Sequence, residues 1–134
     1  MHLKHVGLTS SSEEKADAFY ADLLGLTKSE PKALPLQLSK AIFNIDTELL
    51  MINYRDETSH FEIFVTGENR DNRRQIEHVC LEVGNLEVFL EKCRRLNVDI
   101  SLIPKGDKTL TFIKDFDGNL FEIERSALVE DHPA

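Results

Sequence analysis

The chain has few cysteines, few basic residues relative to acidic ones, and no long apolar run. Two cysteines, Cys80 and Cys93, in 134 residues do not build a disulfide framework, and their spacing is not that of a zinc knuckle. Both read as free, buried thiols of a protein from a reducing, cytoplasmic compartment. Sixteen Lys and Arg against 24 Asp and Glu give a formal net charge of −8. That balance argues against nucleic acid as a partner, since a polyanion is met by a basic face. The one basic cluster, Arg70 with Arg73 and Arg74, falls in a polar stretch and reads as solvated. No stretch is long and apolar enough to cross a bilayer, and the N-terminus opens on a strand pattern, not on a leader. No membrane partner is expected.

What is present is a repeat. Ile76-Glu77-His78-Val79-Cys80-Leu81-Glu82-Val83 reads as a strand with His78, Cys80 and Glu82 on one face and Val79, Leu81 and Val83 on the other. Leu3-Lys4-His5-Val6-Gly7-Leu8-Thr9 opens the chain in the same way. His5 and His78 are 73 residues apart, and a helix follows each. After the first, Ser11 with Glu14 fits a capping box, and Ala16, Phe19, Tyr20, Leu23 and Leu24 make an apolar stripe ending at Gly25. After the second, Asn85 is an N-cap, and Leu86, Phe89, Leu90, Cys93 and Leu96 share a face.

Strands complete each half. In the first, a short strand is possible over 26–30, a helical insert is expected over 37–45, and strands are expected over 48–55 and 61–66 around the polar turn Asp56-Glu57-Thr58-Ser59. In the second, strands are expected over 98–103 (up to Pro104), 109–114 and 120–124, with Asp115-Phe116-Asp117-Gly118-Asn119 as a tight turn. The organisation expected is one α+β domain: a module over about 1–67, a linker at 68–75, a second module over about 76–125 and a tail at 126–134. Internal self-similarity of this kind is the sequence mark of a duplicated unit.

Period two then sorts the chemistry. His5 with Gly7, Glu62, His78, and Glu122 with Glu124 point away from the helices, toward the faces left open for a cleft. Buried charges are usually paired or bound to metals. Two imidazoles and two carboxylates suit a borderline divalent ion such as Zn, Ni, Fe or Mn. Cys80 reads as cleft packing and Glu82 as a neighbour or rim residue of such a site. His2, His60 and His132 lack an equivalent in the repeat and read as surface residues.

The segments His5-Val6-Gly7-Leu8, Phe19-Tyr20 through Leu24-Gly25-Leu26, 78–83 and Asp115 through Ile123 resemble the vicinal oxygen chelate superfamily. That superfamily includes glyoxalase I, methylmalonyl-CoA epimerase, extradiol dioxygenases, and fosfomycin- and bleomycin-resistance proteins. The resemblance implies two βαβββ modules forming a cupped mixed sheet around one divalent metal, with helices outside, often as a homodimer whose sites are built within or across subunits. It implies His5, His78 and Glu122 as metal ligands. The fourth ligand is Glu62 if 48–55 is the third strand of its module, which the hairpin pattern favours. It falls near Met51 if that segment is the fourth. His, Glu, His, Glu is the glyoxalase I type of set. The activity implied is lyase or isomerase chemistry on a small substrate with vicinal oxygens. Glu122 or Glu62 would move a proton beside a carbonyl while an enediolate is stabilised. Glutathione enzymes of the family share an Arg near the end of the first strand; here that region reads Thr9-Ser10-Ser11, which speaks against glutathione. The alternatives are an Fe(II) dioxygenase using His5, His78 and Glu122 as a facial triad, and a non-enzymatic drug-binding protein of the bleomycin-resistance type.

Overall fold

A computed structural model describes residues 3–67 and 77–126. The chain divides into two compact units, Met1–Asn69 and Arg70–Ala134. The expected linker at 68–75 with its arginine cluster, the tail from 127 on, and His2 and His132 lie outside the described residues.

In the first unit the order is β1 (Val6–Ser10), α1 (Glu13–Ala16) running on into a π-helical segment (Asp17–Leu23), β2 (Thr27–Lys28), β3 (Lys32–Leu34), α2 (Leu36–Phe43), β4 (Leu49–Arg55) and β5 (His60–Val65). The sheet runs β1-β5-β4-β2, with β3 also on β4. β1 and β5 are parallel, and the rest are antiparallel. Ser12, not Ser11, caps the first helix: its Oγ accepts from the Lys15 N–H at 3.1 Å. β1 runs through Ser10, whose Oγ donates to the Ser12 carbonyl and sets the turn one residue later than expected. Lys15 therefore stands where a capping-box glutamate would be.

The expected stripe is buried except at Leu24, which caps the helix and is half-buried. Ala16, Phe19, Tyr20 and Leu23 are buried against Ile52, Tyr54, Phe61 and Ile63 on one face of the sheet. The Tyr20 ring meets those of Tyr54 and Phe61 at 5.5 and 5.4 Å. Each such side chain contributes roughly 1.5–3 kcal/mol by leaving water. Gly25 follows with φ +75°, a conformation that strains any side chain. α2 fulfils the expected helical insert, from Pro35 to Asn44, which takes a left-handed φ of 56°. It does not lie with α1. Its Phe43 stacks edge-on with Phe64 at 5.1 Å, and Phe64 alternates with the buried Phe61 and Ile63.

In the second unit the order is β6 (His78–Val83), α3 (Leu86–Arg95), β7 (Asp99–Lys105), β8 (Lys108–Lys114) and β9 (Leu120–Arg125). The sheet runs β6-β9-β8-β7, again with its first and last strands parallel. Asn85 caps α3 through Val88 N–H at 3.0 Å. Leu90 and Cys93 bury the helix face, and Ile113, Phe121 and Ile123 form the buried face of the sheet. β7 continues past the expected stop at Pro104, which pairs with Thr109. Among the described residues β7 bonds only to β8 and is an edge, where a residue without an N–H is tolerated. Cys80 is exposed, contrary to expectation, because it alternates with the half-buried Val79 and Leu81 on the opposite side of β6 from α3; only Cys93 is buried.

The second unit is thus the expected βαβββ module, while the first departs from it by one extra short strand and the inserted α2; the chain is α+β, with a mixed sheet in each unit. Among the described residues no helix is long and apolar enough to cross a membrane.

Candidate metal centre

The site residues are set by register. In the first module Gly7 lies opposite Glu62 across the parallel β1–β5 pair. His5 stands two residues before Gly7, hence on the same side of the sheet, just ahead of the ladder that starts at Val6. Its Nε2 is 3.4 Å from Glu62 Oε1. In the second module Cys80 lies opposite Glu122, and His78 stands two residues before Cys80. His78 Nε2 is 3.9 Å from Glu122 Oε1. One rule therefore places both pairs: an imidazole two positions ahead of the residue facing a carboxylate on the last strand.

The strand beside β1 is β5, so Glu62 is the carboxylate next to His5. Met51 pairs with Phe64 on β4, one strand farther away. The histidines are 39% and 42% exposed, and the carboxylates 23% and 21%. The imidazoles are thus open to solvent, while the carboxylates are largely shielded.

Two ligands held about 2.1 Å from one ion stand roughly 3.0–3.4 Å apart for right-angled or tetrahedral geometry. The His5–Glu62 separation already matches. The His78–Glu122 separation of 3.9 Å lies outside that window and would have to close by about half an ångström or more. Neutral imidazole nitrogen and carboxylate oxygen are donors that borderline divalent ions accept. Each module offers a pair, and among the described residues no group of three or more His, Cys, Asp or Glu is placed to hold an ion.

Around the second pair the face is acidic. Glu82 lies opposite Glu124, and both are exposed. Partial burial, then the charges of Glu124 and Glu122, push the Cys80 thiol up. A thiol held protonated is a poor ligand and a poor nucleophile, so Cys80 is suited to neither role. Burial alone drives Cys93 up to about 11.

Around the first pair lies a residue that the repeat did not flag. His60 opens β5, two residues before Glu62 and on its side of the sheet. It is half-buried, not a surface residue. Its Nε2 lies 2.7 Å from Asn53 Oδ1. A carboxamide oxygen only accepts, so the imidazole donates from Nε2. Its ring stands edge-on to that of His5, with centroids 5.4 Å apart and planes at 61°. Burial, then the charges of Arg55 and His5, lower its pKa. The available signal was parity with Glu62. It was obscured by the turn that ends at Ser59.

Residues 2–123 match a family model described as Glyoxalase/Bleomycin resistance protein/Dioxygenase superfamily. Human mitochondrial methylmalonyl-CoA epimerase is 30% identical over 136 residues, covering 92% of this chain and 73% of the relative. Among solved structures, a glyoxalase family protein from Enterococcus faecalis is similar at a TM-score of 0.69 and 17% identity, over 91% of this chain and 95% of its own. The fosfomycin resistance protein FosX from Listeria monocytogenes, complexed with Mn(II) and sulfate, is similar at a TM-score of 0.69 and 18% identity, over 96% of this chain and 93% of its own.

Proposed function

The chain belongs to the glyoxalase, bleomycin resistance protein and dioxygenase superfamily, and from that membership we propose that it is a metal-dependent lyase or isomerase that moves a proton beside a carbonyl. The observation that carries this reading is the repeated register, which gives each module one imidazole–carboxylate contact on its last and first strands. His5, Glu62, His78 and Glu122 would hold one divalent ion, with the four residues drawn from one chain or from two copies in a homodimer. When bound, Zn, Ni, Fe or Mn supplies positive charge against an oxyanion developing on the substrate.

The chain's own groups supply the rest. Glu62 and Glu122 are the carboxylates beside the histidines, so one of them removes the proton and returns it. Their partial shielding keeps water from competing for that proton. Thr9, Ser10 and Ser11 offer no cation to a glutathione carboxylate, whereas the relative at 30% identity is named for a CoA thioester. The favoured substrate is therefore a small acyl thioester, with the 2-oxoaldehyde hemithioacetal behind it.

The test is solvent deuterium exchange into methylmalonyl-CoA, with methylglyoxal plus glutathione run in parallel and each metal added in turn. Exchange at the carbon next to the thioester carbonyl is expected. It should fall by about 10²–10⁴ in Glu62→Gln or Glu122→Gln, the usual contribution of a general base. No exchange in either substrate with any of the four metals contradicts the proposal.

A further inference from the structure

The two modules solve one mechanical problem in different ways. A first-strand imidazole must be kept turned toward the carboxylate on the last strand. In the second module His78 is the first residue of β6 and is tied into the ladder opposite Leu120. Its ring also meets Phe112, at 6.3 Å and 67°, and Phe112 is the residue facing Glu122 from β8. In the first module His5 precedes the ladder, and its neighbour Leu3 is 80% exposed. The residue facing Glu62 from β4 is Asn53, register-equivalent to Phe112 but with no ring to offer. Asn53 instead holds His60, and the His60 ring stands edge-on to His5. The position equivalent to His60 in the second module is Leu120.

We propose that His60, anchored by Asn53, is a positioning residue that braces the His5 imidazole toward Glu62, replacing the direct brace that Phe112 gives His78. Edge-to-face contact of this kind restricts ring rotation without needing charge on either ring. Asn53 is nearly buried, so its amide oxygen needs the His60 N–H, and the bond fixes the His60 rotamer. Partners that orient a ligand from behind commonly change metal affinity by about tenfold to a hundredfold. The consequence for metal rests on His5 and Glu62 being ligands, as proposed above. The bracing itself does not.

The experiment therefore has two arms. In the metal-free protein, NMR side-chain couplings and relaxation of the His5 ring report its rotamer averaging. His60→Leu, which installs the second module's residue, should convert a single His5 rotamer into an averaging one. His60→Phe keeps a ring edge but loses the Asn53 bond that fixes it, and should retain part of the order. Thermal unfolding of both variants checks that the fold is kept. In the second arm, Co(II) titration followed by its visible absorption should show affinity lower by about tenfold or more in His60→Leu, with a changed spectrum, and closer to the native value in His60→Phe. A wild-type chain that binds no Co(II) refutes the metal reading, while the NMR arm still decides the brace. Unchanged His5 averaging in a folded His60→Leu overturns the brace. Equal loss of order in His60→Phe also overturns it, since the ring edge is then not what acts.

Discussion

Asp56 sets the register that places Glu62. Its Oδ1 accepts the backbone N–H of Thr58 at 2.9 Å and of Ser59 at 2.8 Å, closing the turn between β4 and β5. Those donors, Thr58 first, hold its carboxyl below the ordinary 3.8. A depressed carboxylate contributes stability above its unfolded pKa and loses it as pH falls through the folded value. Asp56→Ala should therefore cost about 1 kcal/mol at pH 7, measured by urea unfolding. The gap to wild type should close as the pH drops below 3.8, and a gap that persists in acid refutes the assignment. At this scale the sequence was readable where a residue's chemistry is self-contained. The turn at 56–59 was visible from composition, and Glu62 from alternation. His60 was not visible, because its value comes from Asn53 on the neighbouring strand and from His5, 55 positions earlier in the chain.

At the scale of the element, the helix after β1 is held by a strand far along the chain. The Tyr54 hydroxyl donates to Asp17 Oδ1 at 2.8 Å, and Lys28 Nζ bonds both Asp17 and Glu13. Burial first, then the Asp17 bond, raises the Tyr54 pKa well above its usual range. Asp17 is also where the helix widens from α to π. Tyr54→Phe removes one bond to a charged acceptor and should destabilise by about 1.5–3 kcal/mol. Calorimetry showing unchanged stability would remove Tyr54 from the set of contacts that anchor this helix. The helix itself was legible from its stripe. The π widening was not, because Phe19, Tyr20 and Leu23 suit either winding, and contacts from β4 lie outside any local window. The same limit explains Pro104: only knowing that β7 is an edge shows why the strand runs through it.

At the scale of the whole molecule, the duplication was the most legible feature, since it repeats a strand, a helix and a spacing within one chain. Its consequence was legible too. His5 and His78 were matched from sequence, and both modules place the histidine by the same register against a last-strand glutamate. What the repeat hid is how the copies have diverged around that shared frame, with Phe112 in one and the Asn53–His60 pair in the other.

The central proposal is that His5 with Glu62 and His78 with Glu122 are metal ligands. Metal analysis of the purified chain, alongside His5→Ala and His78→Ala, tests it most directly. One divalent ion per chain is expected, lost in each variant although the substitutions lie in different modules. A variant of either module that keeps the full metal content at native affinity would contradict it.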